Sequence, residues 1–515
     1  MNRPQTIGEL RRAGHRPRSI RDELRQNLLR MIREGAPRWP GIVGYDETVL
    51  PQIENAILAK QDFILLGLRG QAKTRILRQL ALFLDEMVPA IAGAPLNDDP
   101  LAPVSAEGKR IAAELGDATP IHWLSRDDRY REKLATPDVT IADLIGDIDP
   151  IKAAARGLSY ADEGAIHYGI VPRTNRGIFA INELPDLQPR IQVGLLNILE
   201  ERDFQIRGFP VRMPLDVVMV FSANPEDYTN RGNIITPLRD RIAAQIMTHY
   251  PRTVEEGMAI TTQEAWASRD GAAITIPNFL REAVERVAME ARKSELVNQA
   301  SGVSARLTIA LVEGVVSNAE RRAARLGLAR ETARTCDLLA SVASVSGKVE
   351  LVYEGEREGI EAVAHRLLGL GVKATFDRIF PDALRAVPAR KGGAAPREAG
   401  APREGAPKEG GPAREATVFR PVIEWFGAGN VVLTDDAGGP AAFRAALAAV
   451  PGLEKLAKEY LGDVADDELA VAMEFVLEGL HQNSVLARSR VEGKTTYRDM
   501  VRSMLEGMDL KKPRG

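Results

Sequence analysis

Residues 67–74 have the types and the spacing that bind phosphate groups. The stretch reads Gly67, Leu68, Arg69, Gly70, Gln71, Ala72, Lys73 and Thr74. When such a loop leads into a helix, its backbone N–H groups converge on an anion and the helix dipole adds positive potential. The lysine then reaches the β- and γ-phosphates of a nucleotide, and the threonine hydroxyl ligates a magnesium ion. The spacing therefore predicts a P-loop.

The loop departs from the usual G-x-x-x-x-G-K-T pattern at one position. Ala72 stands where the pattern has a glycine, whose missing side chain lets the backbone approach the phosphates closely. Alanine adds one methyl group, which some loops tolerate. The alternative interpretation is an ordinary strand-to-helix turn with a surface lysine.

The elements around the loop alternate between apolar runs and helical spacing. We predict strands at residues 63–66, 121–124, 178–181, 216–223 and 244–249, helices at 76–83, 187–199 and 236–242, and hairpins over 166–170 and 203–212, the second with Gly208 in its turn. This alternation predicts an α/β fold with a mostly parallel sheet and helices on both faces. Ligands of such sheets bind at the carboxyl ends of the strands.

Polar residues follow three of the predicted strands. The P-loop follows the first strand, Asn182 and Glu183 follow the strand at 178–181, and Asn224 follows the strand at 216–223. We therefore expect all of them at one edge of the sheet, and three such features rarely coincide by chance. The alternatives are a charge at a helix N-terminus for Glu183 and an Asn-Pro turn for Asn224.

The rest of the chain divides by composition. Residues 1–40 are rich in arginine, and we expect this basic N-terminal segment to contact solvent rather than nucleic acid. Helical spacing recurs at 277–293, 306–325 and 331–345, whereas 349–353 fits a strand or a helix. Repeats of Gly, Pro, Ala and alternating charges predict a flexible linker. The predicted domains are a helical extension at 1–37, an α/β nucleotide-binding domain at 38–252, a helical lid at 253–388, the linker at 389–418 and a mainly helical C-terminal domain at 419–515.

Composition argues against several classes of protein. The 515 residues carry a formal net charge of −3, which gives no basic excess for nucleic acid. The single cysteine, Cys336, rules out an intramolecular disulfide framework and is typical of a reducing compartment. The sequence has no apolar run of about 18 residues and no apolar signal core, so we expect a cytoplasmic protein without a membrane span. The histidines lack ligand spacing, so we expect no metal site built by the protein alone.

With these features placed, the chain resembles the AAA+ ATPases of the MoxR and magnesium-chelatase subunit I group. The resemblance covers residues 38–325. It is carried by the P-loop and by the stretches GIVG at 41–44, LIGD at 144–147, RGIFAINEL at 176–184, SANP at 222–225 and LRDRI at 238–242. Residues 146–171 lie where this group inserts a β-hairpin. The order and spacing of the motifs carry the resemblance, rather than any single motif.

The resemblance implies ATP and Mg²⁺ as cofactors, and it gives three residues catalytic roles. Glu183 matches the general base, a carboxylate that orients and deprotonates the attacking water. Asn224 matches the polar residue that holds this water. Arg241 matches an arginine finger donated into the site of a neighbouring subunit, with Arg239 as its rival and a surface ion pair as the alternative.

Two further site residues follow from the resemblance. Asn182 stands where the group usually has an aspartate; it still offers an oxygen to a magnesium-bound water, but it carries no charge. Arg306 matches the sensor-2 arginine of the lid, in a region dense in arginines. Ala72 and Asn182 are thus two departures in one nucleotide site, which keeps slow hydrolysis, or binding without hydrolysis, as an alternative.

The function implied by the resemblance is a remodelling motor that assembles as a ring, a hexamer, because the finger acts across subunits. Such a motor uses ATP to mature a client protein or to load a metal or cofactor into it. It often acts with a partner that carries a von Willebrand A (VWA) domain. Chelation of magnesium is one version. The alternative is a nucleotide-binding assembly scaffold with little turnover. A bacterial transcription activator fits less well, because the sequence shows neither a GAFTGA loop nor a helix-turn-helix tail.

Overall fold

The chain forms two compact units, Met1–Tyr250 and Pro251–Gly515. The computed structural model describes residues 3–158, 162–206, 212–225, 233–383, 418–462 and 464–509. Residues 389–417 of the predicted linker and the predicted turn at Gly208 lie outside these ranges. Within the ranges, no helix combines the length and the apolar character that crossing a membrane requires.

A five-stranded parallel sheet organises the first unit. Its strands in chain order are β1 (Phe63–Leu66), β2 (Tyr130–Leu134), β3 (Gly177–Asn182), β4 (Val217–Ala223) and β5 (Ala244–Met247). In space the order is β5-β1-β4-β3-β2, and every neighbouring pair is parallel. Because β1 pairs with both β4 and β5, the loop after β1 lies between the ends of these two strands. The predicted α/β fold with a parallel sheet is confirmed.

Apolar side chains cover both faces of this sheet. β1, β3 and β4 are buried along their whole length, as expected for strands with helices on both sides. One hydrophobic core contains Phe179 and Phe221, and the other contains Ile178 and Val220, so successive residues of a strand enter opposite cores. This packing fixes the strand ends that carry the polar residues.

Helices and short strand pairs complete the first unit. The helices are Ile7–Arg12, Ile20–Glu34, Val49–Leu58, Lys73–Gln79, Ala106–Leu115, Ile141–Leu144, Pro150–Arg156, Pro189–Gly194, Leu196–Glu200 and Thr236–Arg241. The antiparallel pairs are Met87–Ile91 with Ile121–Ser125, Gly146–Ile148 with Ile166–Tyr168, and Asp203–Gln205 with Arg212–Pro214. The strand predicted at 121–124 therefore exists but pairs outside the central sheet. The helix predicted at 187–199 is two helices that meet at Leu195.

Ion pairs and apolar contacts attach the helix Ile20–Glu34 to the sheet. The two carboxylate oxygens of Glu23 accept hydrogen bonds from Arg129 over 2.8 and 2.6 Å, and both side chains are buried. Arg21 donates to Asp62 over 2.7 Å. Leu24 and neighbouring apolar residues of the helix enter the same core as β1. This basic segment is therefore part of the folded first unit.

The second unit is mainly helical. Its helices are Val254–Glu264, Asn278–Ala291, Arg306–Leu326, Thr335–Leu339, Val342–Ser346, Tyr353–Glu358, Ile360–Ile379, Arg420–Gly427, Pro440–Ala448, Leu453–Leu461, Leu469–Gln482 and Met500–Asp509. Strands Ala273–Thr275 and Arg330–Thr332 pair in parallel, and Val432–Asp435, Lys494–Asp499 and Leu486–Val491 form an antiparallel sheet. The segment 331–345, for which the spacing predicts a helix, begins as a strand and continues as the two short helices Thr335–Leu339 and Val342–Ser346. The stretch 349–353 contains only a bridge between Leu351 and Val297 before a helix begins.

One hydrophobic core unites the second unit on both sides of residues 384–417. The rings of Phe376 and Phe380 stack with their centroids 4.6 Å apart. The ring of Phe380 also lies 6.3 Å from that of Phe419 and 5.3 Å from that of Tyr460. The described C-terminal residues therefore pack into the same unit as the helices before the linker. The domain boundaries taken from the sequence stay predictions.

Candidate functional site

The phosphate-binding loop joins β1 to the helix Lys73–Gln79. The Gly67 N–H donates to the Ala223 carbonyl over 3.1 Å, which connects the start of the loop to the end of β4. Lys73 is only 7% exposed, and its ammonium group donates to the Gly67 carbonyl and, over 3.0 Å, to the Leu68 carbonyl. The positive charge is thus held inside the loop, where phosphate oxygens would form strong, charge-assisted hydrogen bonds with it.

Ala72 adopts the left-handed conformation for which glycine is suited. Its φ is 57° and its ψ is 12°, and Gly70 also has a positive φ, of 75°. The left-handed conformation costs an alanine about 1–2 kcal/mol, because Cβ lies close to a carbonyl oxygen. The loop therefore keeps the backbone shape of the usual pattern despite the substitution. Residues strained in this way cluster at binding and catalytic sites.

Side chains near the end of β5 and before the first strand hold the loop. Thr248 donates to the side-chain oxygen of Gln71 over 2.6 Å, and Tyr45 donates to the Gln71 carbonyl over 3.1 Å. A Cβ atom at Gly67 would overlap the side-chain oxygens of Thr248 and Gln71, so this position requires glycine. Burial raises the pKa of Tyr45 to about 12, so its hydroxyl remains a donor at neutral pH.

Thr74, Asn182 and Ser222 bring three side-chain oxygens together at the carboxyl edge of the sheet. Asn182 Oδ1 accepts a hydrogen bond from the Ser222 hydroxyl over 3.1 Å and one from the Thr74 hydroxyl over 3.4 Å. Asn182 and Ser222 are both buried. The cluster therefore joins the P-loop helix to the ends of β3 and β4.

Glu183 and Asn224 lie at the same edge. Glu183 directly follows β3 and is also left-handed, with φ 54° and ψ 51°, and its N–H donates to the Ser222 hydroxyl oxygen over 3.4 Å. Its side chain is half-buried. Asn224 directly follows β4 and is 5% exposed. The structure thus gathers Glu183, Asn224 and the loop as the sequence predicted, while their catalytic roles stay predictions.

Glu132 places a carboxylate beside Asn182. It lies on β2, whose register sets Leu134 opposite Asn182. Arg78, on the P-loop helix, donates to both oxygens of Glu132 over 2.5–3.1 Å. The hydrogen bonds and the charge of Arg78, with smaller contributions from hydrogen bonds of Tyr130 and Asn182, lower the pKa of Glu132. A negative charge is therefore present next to the neutral Asn182.

The predicted arginines lie on other elements. Arg241 ends the helix Thr236–Arg241 and forms an ion pair with Glu200 at 2.6 Å, while Arg239 on the same helix is exposed. Arg306 begins the helix Arg306–Leu326 of the second unit and is exposed. In the single chain, Arg241 thus has the surface ion pair that we gave as the alternative to a finger. The roles of all three arginines stay predictions.

Sequence reasoning missed several residues that contact the site. Ser222 could have been recognised in the sequence, because it is the only residue with a hydroxyl side chain in the apolar run of β4. Glu132 could not, because β2 has the sequence Tyr-Arg-Glu-Lys-Leu and lacks an apolar run. Thr248 and Tyr45 reach the loop through tertiary contacts that no spacing reveals.

The residues of this edge fit a magnesium ion bound together with a nucleotide. Thr74 and Asn182 offer hydroxyl and amide oxygens, which are the hard ligands that Mg²⁺ prefers. In the part of the chain that the structure describes, no group of three or more His, Cys, Asp and Glu side chains could hold a metal ion. Magnesium at this edge would therefore depend on phosphate oxygens for its remaining ligands.

Comparisons with known proteins find partial similarity. No family model matches the chain. The archaeal Lon protease of Thermococcus kodakarensis is 29% identical over 188 residues, which cover 32% of this chain and only 28% of that protein. A complex of the BchI and BchD subunits of magnesium chelatase has a chain with 20% identity and a TM-score of 0.33, covering 62% of this chain and 98% of its own. NtrX of Brucella abortus in complex with ATP has 13% identity and a TM-score of 0.36, with 69% of each chain covered.

The fold and the loop define an α/β protein. A parallel five-stranded sheet is flanked by helices, and a mainly helical second unit follows it in the chain. The strand order β5-β1-β4-β3-β2 and the glycine-containing loop between β1 and its helix are the features that position the candidate site. The chain is similar to the MoxR and magnesium-chelatase group of AAA+ ATPases in the motifs at the strand ends.

Proposed function

We propose that this protein is an ATP-dependent AAA+ motor that remodels a client protein. The observation that carries the proposal is the cluster at the carboxyl edge of the sheet. There a buried Lys73 lies in the loop, and Thr74 and Ser222 both donate to Asn182. Glu183 follows directly in the chain. A phosphate-binding loop beside a carboxylate offers both a nucleotide site and a base for hydrolysis.

In this proposal the loop binds the phosphates of ATP. Lys73 exchanges its hydrogen bonds to loop carbonyls for stronger ones to β- and γ-phosphate oxygens. The backbone N–H groups at the start of its helix add positive potential. Thr74 and Asn182 supply oxygens to Mg²⁺, which neutralises charge on the phosphates when it is bound.

Hydrolysis needs a positioned water and a base. Asn224, buried at the end of β4, holds the water by its amide. Glu183 orients the water and accepts its proton as the water oxygen attacks the γ-phosphorus. The bond from the γ-phosphorus to the oxygen that bridges it to the β-phosphate breaks, and ADP and inorganic phosphate leave.

The proposed finger requires a ring. Arg241 would leave Glu200 and place its charge on the γ-phosphate bound by the neighbouring subunit. Ion pairs of this kind near the surface contribute only about 0–1 kcal/mol, so breaking the pair between Arg241 and Glu200 costs little free energy. The resemblance to AAA+ motors supports a hexamer of identical subunits.

The identities of the client protein and of the partner protein are the most specific part of the proposal. The sequence resemblance supports loading of a metal or cofactor into a client protein in the cytoplasm, with a VWA-domain protein as partner. Chelation of magnesium is one version of this activity. Neither a nucleic acid nor a membrane is part of the proposal.

A second candidate function is an assembly scaffold that binds nucleotide with little turnover. It is favoured by Asn182, which is neutral where the group usually has an aspartate, and by the left-handed Ala72. In this case the bound nucleotide would fix the assembly state of the ring, and Glu183 would rarely act.

Nucleotide binding by the loop is tested with Lys73→Ala. Removal of the charge-assisted bonds should weaken ATP binding by roughly 10–100-fold, measured by calorimetry with Mg²⁺ present. Lys109→Ala is the matched control, because Lys109 is exposed on the helix Ala106–Leu115. Equal affinities for Lys73→Ala and the wild type, or a wild type that binds no ATP, would rule out the P-loop assignment.

A further inference from the structure

The hydroxyl group of Ser222 bonds to two residues at the end of the adjacent strand. It donates to Asn182 Oδ1 over 3.1 Å, and it accepts the Glu183 N–H over 3.4 Å. Ser222 lies on β4, whereas Asn182 ends β3 and Glu183 follows it. Ser222 is 0% exposed. A serine hydroxyl has one proton to donate and two lone pairs that accept, so it acts here both as donor and as acceptor.

The bond to Asn182 determines which end of its side-chain amide faces the P-loop helix. Asn182 Oδ1 also accepts a hydrogen bond from Thr74 Oγ1 over 3.4 Å. If the amide were turned over, its amino group would replace this oxygen, and the buried hydroxyl proton of Ser222 would lose its acceptor. A buried donor without an acceptor costs free energy. Ser222 therefore keeps the oxygen of Asn182 beside Thr74, where the proposed nucleotide-bound magnesium ion lies.

The bond from the Glu183 N–H holds a strained backbone. Glu183 is left-handed, with φ 54° and ψ 51°. Residues other than glycine rarely adopt this conformation, and it persists only where the surrounding contacts fix it. The bond to Ser222 is one such contact, and the Glu183 carbonyl accepts another from the Asp186 N–H over 3.0 Å. Ser222 thus helps to fix the backbone from which the Glu183 side chain extends.

We propose that Ser222 is a positioning residue, whose single hydroxyl group fixes both the Asn182 oxygen on the magnesium side and the backbone of the proposed base, Glu183. This inference rests on the proposed nucleotide function. Ser222 acts through these two residues and touches neither the ion nor the attacking water. A shared anchor of this kind keeps the metal site and the base in a constant relative position, which in-line attack on the γ-phosphorus requires.

The first test measures metal affinity and needs no turnover. Mn²⁺ replaces Mg²⁺ and is titrated into protein with bound ADP, and electron paramagnetic resonance reports the bound ion. Ser222→Ala leaves the amide of Asn182 able to turn over, so we expect Mn²⁺ affinity to fall about tenfold or more. Affinity for ADP in the presence of EDTA should stay at the wild-type level, because the contacts of the P-loop itself are unchanged.

Three further variants show that the hydroxyl group is responsible. Ser222→Cys nearly keeps the side-chain volume, but a thiol is a weak donor and acceptor, so it should lose Mn²⁺ affinity as Ser222→Ala does. Ser222→Thr keeps the hydroxyl and should recover most of the affinity. Thr375→Val is the matched control, because it removes another fully buried hydroxyl, which donates to the Gly371 carbonyl of the second unit over 3.0 Å, and it should leave both affinities unchanged.

Asn182→Asp separates the two bonds of Ser222. An aspartate has two equivalent oxygens and therefore no orientation to lose, so adding Ser222→Ala to this variant should cost little Mn²⁺ affinity. The bond to the Glu183 N–H is lost in either background, so phosphate release at saturating ATP and Mg²⁺ should fall about tenfold or more in both. A residue that only stabilised the fold would not separate metal affinity from turnover in this way.

Three results would overturn the positioning of Asn182. The first is wild-type Mn²⁺ affinity in Ser222→Ala or Ser222→Cys, and the second is an equal loss from Ser222→Ala in both backgrounds. The third is a loss of ADP affinity in EDTA, which would assign Ser222 to the fold of the loop. Unchanged phosphate release by Ser222→Ala would overturn the positioning of Glu183.

Failure of the proposed function gives different results. A wild type that binds no ADP would overturn the nucleotide site and the role of Ser222 with it. A wild type that binds ADP but releases no phosphate would contradict the motor and the positioning of Glu183 together, while Mn²⁺ affinity would still decide whether Ser222 positions Asn182.

Discussion

Ala72 shows how backbone shape can persist where a motif residue changes. Its left-handed conformation, with φ 57°, is the one that a glycine adopts without strain. The neighbouring Gly67 and Gln71 are fixed by Ala223, Thr248 and Tyr45. The surrounding contacts thus determine the loop conformation, and the methyl group of Ala72 is accommodated at its exposed side.

Substitutions at Ala72 test this interpretation. Ala72→Gly removes a strain of about 1–2 kcal/mol, so its ATP affinity should equal or exceed that of the wild type. Ala72→Val puts a β-branched side chain into the same conformation, and we expect at least a tenfold loss of affinity by calorimetry. Wild-type affinity in Ala72→Val would show that the left-handed conformation is not required for binding.

At the residue scale, the spacing predicted the site residues that belong to a motif. It did not predict the residues that contact the site from other parts of the chain. Lys73 and Thr74 follow from the loop pattern, and Glu183 and Asn224 follow from their places after apolar strands. Glu132 could not be found in this way, because its relation to Asn182 depends on the register of β2 and β3. Such a register is a tertiary property that one sequence does not display.

At the scale of elements, buried strands were predictable because a strand covered on both faces is a continuous apolar run. This holds for β1, β3 and β4. β2 was missed because it lies at the sheet edge, where polar side chains reach solvent. The segment 331–345 was read as a helix from its spacing, but its first residues pair with Ala273–Thr275, and this distant partner overrides the local pattern.

The helix Asn278–Ala291 carries a buried carboxyl group that makes stability depend on pH. Thr261 donates to Glu285 over 2.5 Å, and a Cβ atom at Gly257 would overlap the Glu285 side chain. Burial raises the pKa of Glu285 from 4.5 to about 7, although bonds from Thr261 and the charge of Arg292 oppose the shift. Between these two values the folded chain keeps a proton that the unfolded chain releases, so the free energy of unfolding falls as pH rises.

Glu285→Gln should remove this pH dependence. The stability of the variant minus that of the wild type should grow as pH rises from 4.5 to about 7, and then stay constant at up to about 3 kcal/mol. Urea unfolding at several pH values measures this difference. Glu295→Gln, at an exposed position after the same helix, should show no such trend. A difference that shrinks with rising pH would contradict the assignment.

At the scale of the whole molecule, Arg241 pairs with Glu200 in the single chain, and in the proposed ring it would leave this partner for the neighbouring subunit. A finger acts on the neighbouring subunit, so its target is absent from its own chain. The core shared by Phe376, Phe380 and Phe419 could not be predicted from the sequence, because a stretch of low complexity separates these residues in the chain. Packing across such a gap depends on side-chain complementarity rather than on chain distance.

Mixing of subunits tests the ring. Arg241→Ala should lower ATP turnover by roughly 10³–10⁵ while leaving the ATP affinity of the isolated subunit unchanged. Glu183→Gln should be inactive for a different reason, because it removes the base from the subunit that binds ATP. A mixture of the two contains interfaces with an intact Glu183 and an intact Arg241, so phosphate release should partly return. Full activity of Arg241→Ala alone would make Arg239 the next candidate for the finger.

The most direct test of the motor is steady-state release of phosphate from ATP by the wild type and by Glu183→Gln. We predict turnover by the wild type that depends on Mg²⁺, and a rate lower by about 10²–10⁴ in Glu183→Gln with ATP affinity retained. Equal rates in the two proteins, or no phosphate release by a wild type that binds ATP, would contradict the motor and favour the scaffold.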